Sequence, residues 1–196
     1  MNTDNREVSR TGTYAWRTGE TGGRVSVNLD GTGCFEGGTG LGFFDHMLDS
    51  LFRFSEFDGN LKVEGDPGSR HHTIEDTGTA LGTALNEALN DRLGINRFGW
   101  CLCPMDESLV RVSLDLSGRS GFYLFTDERV ISRGETMLEF FRSISRAARW
   151  TLHLGVLHAE NRHHALEASF KGLGLVLRQA SALGRGSRIP SVKGIL

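Results

Sequence analysis

The sequence predicts an α+β fold made of two copies of one β-β-α-β-α unit, each a sheet with helices on one face. Three observations carry the prediction. An alternating strand pattern occurs twice, a double phenylalanine opens a helix twice, and the motif HHxxE opens an amphipathic helix twice. At 196 residues, 38% hydrophobic and 23% charged, the chain has room for one core shared by two small halves and none for a second independent domain.

In the first half, RVSVNLDGTG alternates so that Val25, Val27 and Leu29 share a strand face before Asp30 and the glycines turn the chain. GFFDHMLDSLF, from Gly42, reads as a helix start and NLKVEG as a strand. After HHTIED, Ile74, Leu81, Leu85, Ala88 and Leu89 keep near a helical period. The second half repeats the order. VRVSLDLSGR supplies Val110, Val112, Leu114 and Leu116, EFFRSISRAA opens a helix from Glu139, TLHLGVLHA is a strand, and HHALEA leads into Leu166, Phe170, Leu173, Leu177 and Ala180. Matched elements are offset by about 85 to 97 residues, a drift that loop insertions absorb. The repeats fall at about 10–93 and 94–185 of one domain spanning 1–196, with a tail over 186–196.

A formal charge of -2 gives no general field for nucleic acid or anionic membrane, so any anion site is local. The three cysteines have no CxxC spacing, which suits reduced thiols in a cytoplasmic protein. No signal-like apolar region opens the chain, and no stretch approaches the roughly 18 apolar residues that span a bilayer. The 26 glycines against three prolines suggest many tight turns.

The HHxxE motifs carry the chemistry. Residues three apart on a helix lie on nearly one face and adjacent ones about 100° apart, so His72 with Glu75, and His164 with Glu167, are expected to grip an ion while His71 and His163 point elsewhere. If all six are ligands, the simplest arrangement is two metals, each held by one pair and by the spare histidine of the other motif. Mixed imidazole and carboxylate donors suit Mn(II), Fe(II) or Zn(II), and the ligand count favours a six-coordinate ion such as manganese. One such motif alone could be a polar helix start with its glutamate at the positive end of the dipole; recurrence at matched places makes chance a poor explanation.

RTGET, NLDGTG, TGLGFFDHMLDSL, HHTIEDTGTALGTAL, RFG, PMDESLVRVSLDLSGR, TLHL, NRHHALEASFKGLGLVLRQA and IPSVKG together resemble the imidazoleglycerol-phosphate dehydratase family, in its order, from about Arg17 onward. The resemblance implies a ribosomal protein S5 domain 2-like fold and a hydro-lyase of L-histidine biosynthesis that turns imidazole glycerol phosphate into imidazole acetol phosphate. It also implies two Mn(II) ions per active site. One would take His46, His72, Glu75 and His163; the other His71, His164, Glu167 and Glu139, where many members carry histidine. Glu20 matches the family's acid/base, and Arg97, Arg119, Ser191 and Lys193 its substrate-phosphate grip, the last two in the tail. Val192 departs from the usual Ser or Thr, as Gly23 and Ala159 depart from an apolar residue and glycine. Asp106 and Glu107 in PMDE are candidates to orient the site from behind the ligands, with no firm role for either, while His153 and His158 receive no assignment. The family assembles as a homo-oligomeric cage, commonly of 24 subunits, with metal sites completed between chains.

The reaction is demanding because no carbonyl activates the C2 proton and the C3 hydroxyl leaves poorly. The imidazole ring is the available electron source, and divalent ions at its nitrogens would favour the anionic ring. Two rival readings stay open here: another dinuclear metalloenzyme, a hydrolase or oxidase, and a non-catalytic metal-assembled cage. The glycine-rich strand pattern disfavours the long-helix bundle an oxidase wants. A cage has little need for Glu20, Arg97, Arg119 and Lys193.

Overall fold

Alternation in the sequence becomes strand register in both halves of the computed structural model, which describes residues 9–66, 68–127, 130–132, 135–184, 188–192 and 194. In the first half β1 (Thr11–Arg17), β2 (Gly22–Asn28), β3 (Phe35–Gly38) and β4 (Asp58–Glu64) form a sheet in the order β1-β2-β4-β3, antiparallel except that β3 runs parallel to β4. Helix α1 (Gly42–Ser55) precedes β4, and α2 (Arg70–Leu89) follows it. The second half repeats this with β5 (Phe98–Met105), β6 (Ser108–Asp115), β7 (Gly121–Phe125), α3 (Met137–Ala147), β8 (Thr151–His158) and α4 (Arg162–Ser181), its sheet ordered β5-β6-β8-β7. The duplicated α+β prediction holds. Each half also carries a short edge strand, β3 or β7, beyond the predicted order; FEGG ends in two poor strand formers, and GFYLF is continuously apolar rather than alternating.

The helices lie between the sheets. α2 packs on β1 and β2, α4 on β5 and β6, and the layers meet where α1 touches α4 and α2 touches α3. Val25, Val27 and Leu61 point inward from one sheet, and Val110, Val112, Leu114, Leu152 and Leu154 from the other, all buried. Phe170 stands 5.0 Å from Phe140 and 4.8 Å from Phe141, and Phe44 lies 5.4 Å from Phe140, so this ring cluster joins the two helical layers. Burial of each ring contributes roughly 1.5–3 kcal/mol.

Close helix approach is set by glycines at matched places. A Cβ on Gly82 of α2 would lie 2.6 Å from the Ile144 carbonyl oxygen of α3, and one on Gly174 of α4 2.5 Å from that of Leu51 in α1. Each pair runs in the same direction, so its starts are level. Asp45 in the first turn of α1 accepts from the Thr39 backbone and hydroxyl at 2.7 Å each, and Gly65 packs against both Thr39 and Thr73 of α2. Both HHxxE motifs therefore open at one end of the molecule.

Candidate metal centre

Three side chains converge at that end. His46, one turn into α1, reaches Glu167 across the α1–α4 contact with Nε2 3.3 Å from Oε2, and His163 brings its Nε2 to 3.2 Å from the same oxygen. All three donor atoms lie within 4.8 Å of one another. Donors at right angles around an ion with bonds of about 2.1 Å sit about 3.0 Å apart, and opposed donors about 4.2 Å, so the spacing fits one first-row divalent ion with slight contraction. The other Glu167 oxygen takes Lys171 Nζ at 2.8 Å. Burial pushes the Glu167 carboxyl up, but Lys171 and then His46 outweigh it and hold it below the usual carboxylate range. The ring of Phe43 lies 5.1 Å from that of His163 and walls one side.

This grouping differs from the pairing expected from the motif. The first histidine of each motif, not the second, meets the glutamate: His71 Nε2 is 3.4 Å from Glu75 Oε2, matching His163 with Glu167. The reason is angular. Four residues advance a helix about 40° past a full turn, whereas three leave it about 60° short. His46 likewise sits with His163 and Glu167 within one chain, not with His72 and Glu75. On the α2–α3 side, Gly78 packs on Phe140 and Ser143, which brings Glu139 level with Glu75; Glu139 pairs with Arg142, and Glu75 lies 3.5 Å from Arg146.

The second histidines are held differently. His72 donates Nδ1–H to Asp66 at 2.9 Å, and His164 donates Nδ1–H to Glu107 at 2.7 Å. These bonds are the largest cause raising both imidazole pKa values, and His164 is the main reason that Glu107 is pushed down to about 2. Glu20 stands at the tip of the β1–β2 hairpin, 3.4 Å from His72 Nδ1. Thr21 of the same turn bonds Asp76 at 2.5 Å and receives Trp16 Nε1 at 3.0 Å, which ties the tip to α2. Glu107 occupies the corresponding turn, between β5 and β6, beside the second motif.

The residues expected at the phosphate lie elsewhere. Arg97 forks onto Asp115 at 2.7 and 3.1 Å and donates to the Pro190 carbonyl at 2.8 Å, and its backbone N–H bonds Ala180. Arg119 follows β6, where its carbonyl accepts from Thr151 at 3.1 Å. Ala180 is separated from His163 by most of α4, about 25 Å at the helical rise. Asp115 is likewise a full strand, about 24 Å, from Ser108 beside Glu107. Ser191 belongs to the segment that Pro190 anchors on Arg97, its N–H bonding Ile189 O at 2.7 Å. Lys193 lies outside the described residues. Within one chain, then, the described members of the basic set and the metal-ligand end stand at opposite ends.

Two groups at the motif end, Lys171 and Asp66, carry no role expected from the sequence, and a third, Glu107, is expected only to orient the site. Lys171 follows Glu167 by four residues and His163 by eight, a helical spacing that could have shown it. Glu107 stood in PMDE without a definite partner, and Asp66 sits in a loop where no periodicity points to it. His153 stacks on Tyr123 at 4.7 Å on the outer face of the second sheet, away from the ligands.

Comparison with known proteins adds an independent observation. Residues 39–177 match the family model for imidazoleglycerol-phosphate dehydratase. The chain is 48% identical to the protein of that name from Zymomonas mobilis, covering 92% of this chain and 95% of the relative, and 46% identical to that from Ruegeria pomeroyi, covering 92% and 96%. It resembles the crystal structure of IGPD from Pyrococcus furiosus with a TM-score of 0.77 at 34% identity, over 93% of this chain and 100% of that one. The Staphylococcus aureus dehydratase structure matches with a TM-score of 0.75 at 32% identity, over 88% and 99%.

Proposed function

This chain belongs to the imidazoleglycerol-phosphate dehydratase family, and on that premise we propose that it is the histidine-biosynthetic hydro-lyase acting on imidazole glycerol phosphate with bound manganese, at a site completed between chains. The observation that carries the reading is the end-on geometry. Glu20, both HHxxE motifs and His46 share one end, whereas Arg97 and Arg119 lie about 25 Å away, farther than a three-carbon imidazole phosphate reaches. One chain's ligand end and another chain's basic end can enclose that substrate together.

His46, His163 and Glu167 would hold one ion, with the first-motif pair His71 and Glu75, Glu139 beside them, and the second histidines His72 and His164 supplying the remaining ligands. Two Mn(II) ions at the substrate's ring nitrogens would supply the Lewis acidity that favours the anionic imidazole. The electron-rich ring expels the C3 hydroxyl as hydroxide, Glu20 takes the C2 proton, which returns to the hydroxide to give water, and the resulting enol gains a proton at C3 to become the ketone. Lys171, bonded to Glu167, places a side-chain cation beside the ligands. Arg97, Arg119, Ser191 and Lys193 bind the phosphate from a neighbouring chain, with Arg97 also fastening the tail through Pro190.

Self-association is supported by the outer face of the second sheet, whose two edge strands expose Phe98, Trp100 and Leu102 on β5 and Tyr123 and Phe125 on β7. The proposed assembly is the family's 24-subunit cage, in the cytoplasm. The described helices include none long and apolar enough to cross a membrane. Incubating the assembled, Mn(II)-loaded protein with imidazole glycerol phosphate should yield imidazole acetol phosphate; absence of the ketone product would defeat the proposal.

A further inference from the structure

The second histidine of each motif is held by a carboxylate, and Glu20, in the turn that matches that of Glu107, also lies 3.4 Å from His72 Nδ1. Asp66 lies in the loop after β4, whereas Glu107 lies in the β5–β6 turn, yet both take Nδ1–H of the second motif histidine. A carboxylate on the same ring atom of both second histidines, whichever loop supplies it, points to a requirement at the histidine. The consequence is the same on both sides. With Nδ1 occupied, the lone pair is directed to Nε2; that atom of His72 has no hydrogen-bond partner among the described residues, and that of His164 has only long contacts, 3.5 Å to Asn161 and 3.7 Å to Asp106.

Glu107 is the more firmly built of the two. Its Oε1 accepts from the backbone of Asn161 at 2.9 Å and of Glu160 at 3.3 Å and from Ser108 at 3.0 Å, leaving Oε2 for His164. Asn161 in turn caps α4 through the His163 backbone N–H at 2.9 Å. One carboxylate thus fixes the start of the motif helix and the orientation of its second imidazole.

We propose that Glu107 and Asp66 are positioning residues that hold His164 and His72 as Nε2 donors to a divalent metal, a role that rests on the metal-centre reading above. Carboxylates behind ligating imidazoles fix the tautomer and make the ring a better donor, and their loss typically weakens metal binding about 10- to 100-fold.

The test is a double-mutant cycle on the full chain, read as Mn(II) affinity from the free-ion EPR signal. Glu107→Gln keeps the size of the side chain and an acceptor for the Asn161 backbone. It should weaken Mn(II) binding about 10- to 100-fold, yet cause no further loss in a His164→Gln background. A merely structural tie between turn and helix would lower affinity equally in both backgrounds, and that result overturns the proposal, as does unchanged affinity in Glu107→Gln. If the unmutated chain takes up no Mn(II), the metal-centre reading itself falls, which is seen before any variant is compared. Should Glu107→Gln not fold, ring-15N histidine NMR of the metal-free unmutated protein at alkaline pH decides. His164 as the Nδ1–H tautomer supports the role, and the Nε2–H tautomer refutes it.

Discussion

Replacing Gly174 by alanine separates helix propensity from packing, and couples packing to the metal centre. On propensity alone the change stabilises a helix by about 1 kcal/mol. In this fold the new methyl would lie 2.5 Å from the Leu51 carbonyl oxygen and 3.0 Å from the Ser55 nitrogen, both backbone atoms of α1. A carbon–oxygen contact needs about 3.3 Å, so α1 and α4 must part by about 0.8 Å. Overpacking of this kind costs about 1–3 kcal/mol, which leaves a net destabilisation of about 1 kcal/mol. Near this chain length that is a fall in Tm of about 2–4 °C, measured in chelator so that metal does not mask it. Gly82→Ala wedges α2 from α3 instead and should lower Tm similarly. Gly174→Ala also opens the 3.3 Å gap between His46 and Glu167, so it should bind Mn(II) more weakly than the unmutated chain by calorimetry. A raised Tm for Gly174→Ala, or an Mn(II) affinity equal to that of the unmutated chain, would refute the reasoning.

Glu20→Gln should keep metal and substrate binding while turnover falls at least about 100-fold, the usual contribution of one acid/base group; near-normal turnover removes Glu20 from the chemistry. Asp58 accepts backbone N–H groups of Thr32 at 2.8 Å and Cys34 at 3.0 Å, which hold its carboxyl below the ordinary value of 3.8. A depressed folded pKa means the stabilisation is present above about pH 4 and is lost as pH falls through the folded value. For this partly exposed group, discounted for solvent screening, that is about 1 kcal/mol, so Asp58→Asn should unfold in denaturant with a shallower loss of stability between about pH 5 and 3. Superimposable pH profiles of the two proteins would contradict this.

Strand alternation and helical spacing made the duplicated architecture legible, because both are periodic consequences of one buried face. Val25 and Val27, and Val110, Val112 and Leu114, are buried as their alternation required. β3 and β7 escaped notice because short edge strands are held by pairing to β4 and β8 rather than by a patterned face. At the candidate site the motif residues were evident from recurrence, but their grouping was not. The choice between His71 and His72 as partner of Glu75 turns on about 40° against 60° of helical phase. The His46–Glu167 contact depends on which helices pack together, set by small residues such as Gly174 that carry no chemical signal of their own. Arg97 illustrates the same limit: its fork onto Asp115 spans two strands, and nothing local to NRFG announces it.

In the proposed assembly the ligand end of one chain and the basic end of another form each active site, and mixed oligomers test this pairing of ends. Glu20→Gln disables the first end and Arg119→Ala the second. When the two inactive proteins are dissociated, mixed in equal amounts and reassembled with Mn(II), each site draws its two halves from different chains. Random mixing then makes about a quarter of the sites fully intact, so dehydratase activity should rise to about a quarter of the unmutated level. Activity no higher than the average of the two parents would place the whole site within one chain and contradict the account.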